Sequence, residues 1–288
     1  MESGRKKLIL DTSGINALAD DPDCVALIRG LRITHLSGVT ETTISEIAAN
    51  SDEARRIQLL GVLERLLKFG MCVIPFHVII EEQAKAYLAD RRRYDWRRVN
   101  LRFAEAEGEV VRQESAVSEE TRVTLKQWNQ DFQAIFSDAR AAFQKLFDRQ
   151  DGKRPSLKEV ADRMLGDGGA HREIAIDLFE QGTGTRPSQA EVHDFTERCL
   201  PFKALLVALC FSQYDRCIRG ERQPWLGKAG RLDIFSAMYL PYCTVFVTND
   251  DGQWKALRTV AKMIGRQMDI LLYSEFKEKL FGIGVAAQ

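Results

Sequence analysis

Residues 7–19 read KLILDTSGINALA and place a short apolar run directly before an acidic turn. The run consists of Leu8, Ile9 and Leu10, and a continuous rather than alternating apolar pattern suits a parallel strand that is covered on both faces. Asp11 follows at once, and the Thr-Ser-Gly sequence after it is typical of a helix start. The stretch therefore predicts a buried β-strand that ends in a carboxylate.

Residues 243–257, CTVFVTNDDGQWKAL, repeat this design near the other end of the chain. A β-branched and aromatic run precedes an acidic turn, and a helix is expected to start at about Gln253. Further strand candidates are ITHLSGV at residues 33–39, MCVIPFHVII at 71–80 and DILLYSEF at 269–276. Because ligands of open α/β sheets bind beyond the carboxyl ends of the strands, the two acidic strand ends indicate a shared site.

The middle of the chain has a different character. Residues 91–200 are rich in Ala, Glu, Arg, Gln and Phe, and SLKE at Ser156 and SQAE at Ser188 have the form of helix capping boxes. We therefore predict an α/β protein: a three-layer fold with a central, mostly parallel sheet flanked by helices, plus an α-helical insertion. Residues 1–90 and 201–288 form the predicted α/β domain, and residues 91–200 form the insertion.

Composition excludes several classes of protein. Hydrophobic residues make up 45% of the 288-residue chain, as in globular proteins, and 41 basic residues balance 41 acidic ones, so no global charge attracts nucleic acid or a membrane. The longest apolar run, residues 204–211, is far shorter than the roughly 18 residues of a membrane span. Six scattered cysteines and no export signal predict a soluble, cytoplasmic protein, and the four histidines lack zinc-site spacing.

Four carboxylates are the candidate catalytic and metal-binding residues: Asp11, Glu46, Asp233 and Asp250. Each has an ordinary explanation when it is taken alone. A strand-end aspartate can cap a helix, Asp233 can favour the start of a helix through the macrodipole, and Glu46 can face solvent. Their order and surroundings along the chain are what single them out together.

Four stretches of the chain resemble the motifs of the PIN-domain nucleases. They are LDTSGINALA at residues 10–19, ISEIAA at 44–49, LDIFSAMYL at 232–240 and VFVTNDDGQW at 245–254. The resemblance covers about residues 5–90 and 201–280, whereas the long segment between Glu46 and Asp233 departs from the compact family pattern. It implies a PIN-like nuclease domain at residues 1–90 and 201–288, whose four acidic residues are Asp11, Glu46, Asp233 and Asp250.

A cluster of four carboxylates is suited to divalent cations. Neighbouring anions repel one another, so such a cluster is costly until a cation neutralises it. Mg²⁺ and Mn²⁺ take oxygen ligands, and one or two such ions can activate a water for attack on a phosphodiester. We expect Asp11 and Asp250 to be the main ligands, and Glu46 and Asp233 to bind directly or through water.

Residues beside these carboxylates are candidates for orienting them or a bound water: Thr12, Ser13, Thr248 and Asp251. Ordinary helix capping and turn hydrogen bonds explain the same residues equally well. Asp251 in particular precedes a glycine, where an aspartate can cap the next helix or face solvent.

Residues 89–103, ADRRRYDWRRVNLRF, form an arginine-rich segment. Aromatic residues are interleaved with its basic residues Arg91, Arg92, Arg93, Arg97 and Arg98, a pattern that can hold phosphates and stack unpaired bases. The alternative is a solvated face whose arginines form salt bridges with the acidic residues that follow, such as Glu105. We prefer the second interpretation, because arginines at this density cannot all lie on one helix face.

These motifs predict divalent-metal-dependent hydrolysis of phosphodiester bonds with Mg²⁺ or Mn²⁺. The family resemblance implies an endoribonuclease that acts on RNA, of a toxin–antitoxin or defence type, with an antitoxin-like protein and a homodimer as candidate partners. Two alternatives stay open: a catalytically inactive PIN-like module that binds nucleic acid or protein, and an aspartate-based phosphatase. The phosphatase is disfavoured because its motif has a second aspartate where this chain has Ser13.

Overall fold

The computed structural model describes residues 4–73, 75–99, 123, 127, 155–165, 170–219 and 232–285. Five strands form its sheet: β1 (Lys6–Leu10), β2 (His35–Thr40), β3 (Met71–Val73), β4 (Val245–Thr248) and β5 (Asp269–Leu272). Their order across the sheet is β3-β2-β1-β4-β5, and every neighbouring pair is parallel. The prediction of an α/β protein with a central parallel sheet is confirmed.

Helices connect and cover these strands. They are α1 (Thr12–Asp20), α2 (Cys24–Thr34), α3 (Glu41–Ala48), α4 (Glu53–Leu67), α5 (Phe76–Ala89), α6 (Leu157–Leu165), α7 (Ala170–Thr183), α8 (Gln189–Arg198), α9 (Leu200–Arg219), α10 (Leu232–Phe235), α11 (Asp251–Met263) and α12 (Tyr273–Val285). Short 3₁₀ helices span Trp96–Arg98 and Ser236–Tyr242. None of the helices in the described residues combines the length and apolar character that a bilayer-spanning segment needs.

The sheet separates two buried cores because successive side chains of a strand point to opposite faces. Leu8 and Leu10 of β1 pack with α1, α2, α3, α4 and α12 on one face. Ile9 of β1 and Phe246 of β4 pack on the other face with α5, α7, α8, α9 and α11. Helices therefore cover both faces of the sheet in a three-layer arrangement, which explains the continuous apolar runs of the strands.

The described helices of residues 91–200 share a core with the sheet. Phe179 of α7 and Phe195 of α8 belong to the same buried cluster as Ile9 and Phe246. Both predicted capping boxes are present, since Ser188 and Ser156 each exchange hydrogen bonds with the glutamate three residues later. The segment thus contributes helices to the layer that covers one face of the sheet.

The apolar run at residues 71–80 is divided between two elements. Its strand, β3, ends at Val73, and α5 begins at Phe76. Pro75 stands between them at the N-cap of α5 with φ −54°. Because proline has no backbone N–H to donate to a sheet and its fixed φ suits a helix start, the run cannot continue as a strand.

Candidate functional site

The order of strands changes direction at β1. The chain passes from β1 outward to β2 and β3, and its later strands β4 and β5 lie on the other side of β1. Crevices form at such a switch point, beyond the carboxyl ends of the two diverging strands. Asp11 follows β1 and Asp250 follows β4, and the backbone N–H of Asp11 donates to Val247 O at 3.1 Å. The two acidic strand ends are therefore neighbours.

Asp11 is buried at this end of the sheet and caps α1. Its Oδ1 accepts hydrogen bonds from the Gly14 N–H at 2.7 Å and from the Ser13 hydroxyl at 2.9 Å. Its Oδ2 is buried and has no hydrogen-bond partner. Since only 5% of the residue is exposed, water cannot fully solvate this oxygen. Oδ1 therefore caps the helix, whereas Oδ2 makes no hydrogen bond.

The electrostatics of Asp11 reflect this burial. The pKa of Asp11 is raised to about 6, mainly by desolvation and to a smaller extent by the negative charge of Asp250. Polar groups of Thr248, Gly14 and Ser13 act in the opposite direction because they stabilise the ionised form. A carboxylate with a raised pKa beside a second carboxylate is an arrangement that a bound cation stabilises.

Glu46 lies on α3 and reaches the same region. Its Oε2 accepts a hydrogen bond from the hydroxyl of Thr12, the residue after Asp11. Burial raises the pKa of Glu46, and the charges of Asp11 and Glu41 raise it further, whereas the Thr12 hydrogen bond lowers it. Glu46 is therefore close enough to Asp11 for their charges to interact.

Asp250 occupies the N-cap of α11. Its Oδ1 accepts from the Gln253 N–H at 2.8 Å, and its own N–H donates to Thr248 Oγ1 at 3.1 Å. Asp251 is exposed and lies in the first helical turn. Asp250 thus performs the capping that the sequence also allowed for Asp251, and Asp11 and Asp250 both cap a helix that begins at the carboxyl end of a strand.

Hydroxyl groups connect the two strand ends. Ser13 Oγ lies 2.9 Å from Thr248 Oγ1 and accepts from the backbone N–H of Asn249 at 2.7 Å. Thr248 is fully buried, and its hydroxyl is 3.2 Å from Oε1 of Gln253. The candidates Thr12, Ser13 and Thr248 therefore all contact a predicted carboxylate or its support, as an outer shell of a site requires.

Two further polar residues, Glu41 and Gln253, lie near these carboxylates, although the sequence did not single them out as candidate site residues. Glu41 adds a further negative charge that acts on Glu46. Gln253 is 5% exposed, and its side-chain Nε2 has no hydrogen-bond partner. Gln253 stands three residues after its cap Asp250, which is the capping-box spacing, and this was the signal that could have drawn attention to it.

For Asp233 the structure describes only the backbone. It belongs to α10. Its side chain lies outside the part of the molecule that the structure describes. Among the predicted acidic residues, Asp11 interacts electrostatically with both Asp250 and Glu46.

The fit of a divalent cation rests on Asp11. Among the described side chains, no three His, Cys, Asp or Glu residues form a preassembled metal cage. Mg²⁺, however, commonly keeps several waters and binds through one or two carboxylates together with substrate phosphates. The free Oδ2 of Asp11, with Asp250 and Glu46 nearby, suits that mode of binding.

The arginine-rich segment is held by contacts to its own neighbourhood. Arg91 forms an ion pair with Glu191 and lies over the ring of Tyr87. Further close pairs are Arg93 with Asp90 at 3.8 Å, Arg98 with Asp95 at 3.7 Å and Arg97 over the Trp96 ring at 5.5 Å. Arg92 is exposed, and Glu105 lies outside the described residues.

This segment lies at the opposite edge of the sheet from the carboxylates. The ring of Trp96 packs against that of Tyr242, with 5.4 Å between the centroids. Tyr242 ends the 3₁₀ helix that precedes β4, so the contact is at the amino end of that strand. Asp250 lies beyond the carboxyl end of β4. The length of this strand, about 10 Å, therefore separates Asp250 from the contact between Trp96 and Tyr242.

Comparison with known proteins gives no match to a family model, a curated protein or a solved structure.

Proposed function

We propose that this protein is a divalent-metal-dependent nuclease built on a PIN-like domain. The observation that carries the proposal is the Asp11 carboxylate, which is buried at the switch point of the sheet with one oxygen unpaired. The charges of Glu46 and Asp250 act on the same region. Burying a carboxylate oxygen without a partner is costly, and a bound cation removes this cost.

Each residue has a role in this proposal. Mg²⁺ or Mn²⁺ supplies, when bound, a Lewis acid that activates a water and stabilises the charge developing on a phosphodiester. Asp11 would hold the cation through its carboxylate, and Asp250 and Glu46 would hold it directly or through water. Asp233 is the fourth proposed acidic ligand. Thr12 orients Glu46 through its hydroxyl, and no serine or histidine nucleophile is needed.

The finer parts of the proposal rest on the resemblance of four sequence motifs to the PIN-domain nucleases. They are RNA as the substrate, endonucleolytic cleavage and a toxin–antitoxin or defence role. An antitoxin-like partner, a homodimer and a cytoplasmic location belong to the same proposal.

Cleavage of labelled single-stranded RNA and DNA in Mg²⁺, Mn²⁺ or EDTA tests the activity. We expect metal-dependent cleavage of RNA by the wild type and none by Asp11→Asn. Asp251→Asn is the matched control, because it removes an exposed carboxylate next to Asp250. Equal rates for wild type and Asp11→Asn, or cleavage that survives EDTA, would overturn the proposal.

Melting curves give a test that does not depend on knowing the substrate. A cation that binds only the folded state raises the melting temperature, by an amount that grows with its concentration. We expect millimolar Mg²⁺ or Mn²⁺ to raise the melting temperature of the wild type but not that of Asp11→Asn. Unchanged wild-type melting would remove the metal site.

One observation favours the alternative of an inactive binding module, namely that the described side chains include no preassembled group of three metal ligands. The same experiments separate the two. An inactive module binds RNA with equal affinity in EDTA and Mg²⁺ and leaves it intact, whereas the proposed nuclease cleaves it only with metal.

A further inference from the structure

Gln253 is a buried polar residue between the two strand ends. Its backbone N–H donates to Asp250, and its side-chain amide lies against the Thr248 hydroxyl, with 3.2 Å between Oε1 and Thr248 Oγ1. The amide nitrogen, Nε2, has no hydrogen-bond partner in this arrangement. A buried NH₂ group without an acceptor is costly, so the orientation of this amide needs a physical reason.

Counting protons shows which orientation of the amide the neighbouring hydroxyls favour. Ser13 Oγ lies 2.9 Å from Asp11 Oδ1 and 2.9 Å from Thr248 Oγ1. Each hydroxyl has one proton, and an ionised carboxylate can only accept, so the proton of Ser13 goes to Asp11. The proton between the two hydroxyls must then come from Thr248. Thr248 has no second proton with which to bond Oε1 of Gln253.

The conflict over the Thr248 proton is removed when the amide of Gln253 is rotated by 180° about its terminal bond, which leaves Oε1 rather than Nε2 as the atom without a partner. This rotation exchanges oxygen and nitrogen within almost the same shape, and it brings Nε2 to the Thr248 hydroxyl. We propose that Gln253 is a positioning residue that donates from Nε2 to Thr248. Thr248 donates to Ser13, and Ser13 donates to Oδ1 of Asp11, so that the three residues form one directional relay.

The relay determines which oxygen of Asp11 is free. Oδ1 accepts from Ser13 and from the Gly14 N–H at 2.7 Å, whereas Oδ2 accepts from nothing. The carboxylate is therefore held with Oδ2 presented to a cation, and Gln253 contributes to this orientation without contacting the metal. The function of the relay rests on the proposed metal site, whereas its geometry does not.

Nuclear magnetic resonance of the metal-free protein tests the geometry. With Nε2 against Thr248, the side-chain amide protons of Gln253 lie within hydrogen-bond distance of the Thr248 hydroxyl oxygen and give strong cross-peaks to the protons on Thr248 Oγ1 and Cβ. These signals are identified by their loss in Gln253→Met. Absence of these cross-peaks, with those from the Gln253 methylene protons present, would overturn the relay whatever the protein's activity.

Binding of Mn²⁺ tests the consequence. Loss of an outer-shell partner typically weakens metal binding 10–100-fold, and we expect about a tenfold loss in Gln253→Met. The matched control is Gln83→Met, because Gln83 is fully buried and hydrogen-bonded to Tyr94, Trp96 and Tyr242 at the other edge of the sheet. It is expected to lower the melting temperature without changing the affinity for Mn²⁺.

Conservative variants of the relay separate positioning from packing. Thr248→Ser keeps the hydroxyl and is expected to keep the affinity for Mn²⁺, whereas Thr248→Val removes the hydroxyl at similar volume and is expected to lose about tenfold. Wild-type affinity in both Gln253→Met and Thr248→Val would overturn the relay. A wild type that binds no Mn²⁺ would instead overturn the proposed function, and the cross-peaks would still decide the geometry.

Discussion

At the scale of single residues, the two carboxylate oxygens of Asp11 have different surroundings. Oδ1 caps α1, and Oδ2 is buried without a partner. The capping contribution is typically worth about 1 kcal/mol, whereas burial of the charge acts against folding. Residues at functional sites commonly reduce stability in this way, and the cost is removed when the ligand binds.

Replacing Asp11 with asparagine should raise stability in metal-free buffer. The pKa of Asp11 is raised from 3.8 to about 6, so the folded state binds more protons than the unfolded state between these values. The contribution of Asp11 to stability is therefore favourable at low pH and is lost as the pH rises through about 6. The shift corresponds to roughly 3 kcal/mol at neutral pH.

Thermal melts in EDTA across this pH range measure the effect. We expect the wild type to lose stability relative to Asp11→Asn as the pH rises, because the asparagine can still cap α1 but carries no charge. A wild-type protein that gains stability relative to the variant as the pH rises would show that the carboxylate is not desolvated as the structure indicates.

Variants of Asp250 and Asp251 distinguish helix capping from the proposed metal binding. Asparagine at position 250 keeps an oxygen for the Gln253 N–H and removes the charge. We expect Asp250→Asn to reduce metal-dependent cleavage at least about 100-fold with little loss of stability, and Asp251→Asn to keep most of the activity. Cleavage rates and melting curves of both variants check this. Equal losses would mean that the two carboxylates act jointly, and loss from Asp251→Asn alone would assign the metal to position 251.

At the scale of elements, α1 starts in direct contact with the backbone of β4. A Cβ atom on Gly14 would lie 2.9 Å from Val247 O and 3.2 Å from Asp11 Oδ1. Glycine is therefore needed here for close approach. The same approach brings Ser13 to Thr248, so the packing of the helix start and the geometry of the site are one feature.

Gly14→Ala should displace α1 from β4. We expect a loss of about 1–3 kcal/mol in the free energy of unfolding, typical of overpacking, together with weaker binding of Mn²⁺. Gly61→Ala is the control, since it lies inside α4 with nothing within 4 Å of its added Cβ. That variant should gain up to about 1 kcal/mol from helix propensity. Denaturant unfolding of both variants gives the comparison, and wild-type stability in Gly14→Ala would contradict the close contact.

At the scale of the whole molecule, opposite charges lie at opposite edges of the sheet. The carboxylates are at the carboxyl edge, and the arginine-rich segment is tied to the amino edge through Trp96 and Tyr242. Arg91 is already paired with Glu191. We therefore expect a trinucleotide bound at the carboxylates not to reach Arg92 or Arg93.

Replacing Arg92 and Arg93 with alanine should depend on the length of the substrate. We expect unchanged binding of a trinucleotide. For a long RNA, binding is unchanged if the segment is a solvated face. If the arginines contact phosphates, the plot of log binding constant against log salt concentration becomes shallower by about 0.7 for each lost contact. Binding titrations at several salt concentrations measure this. Weaker binding of the trinucleotide would contradict the separation of the two edges.

Local sequence determined much of this protein. The apolar runs, the aspartates that end β1 and β4, and the capping boxes at Ser156 and Ser188 all depend on residues within a few positions of one another, so their patterns predict them. The boundary between strand and helix within residues 71–80 was harder to predict from the sequence, because a buried strand and a buried helix start share the same apolar composition. Pro75 was the only local sign of the boundary.

Only the tertiary structure decided how these pieces meet. The pairing of β1 with β4 joins Leu10 to Val247 across most of the chain, and no local pattern encodes a contact at that separation. The same pairing brings Ser13 to Thr248, leaves Oδ2 of Asp11 unpaired and buries Gln253 between them. Sequence therefore determined which side chains end each strand, while long-range strand order determined which of them share a site, because that order depends on packing over the whole sheet.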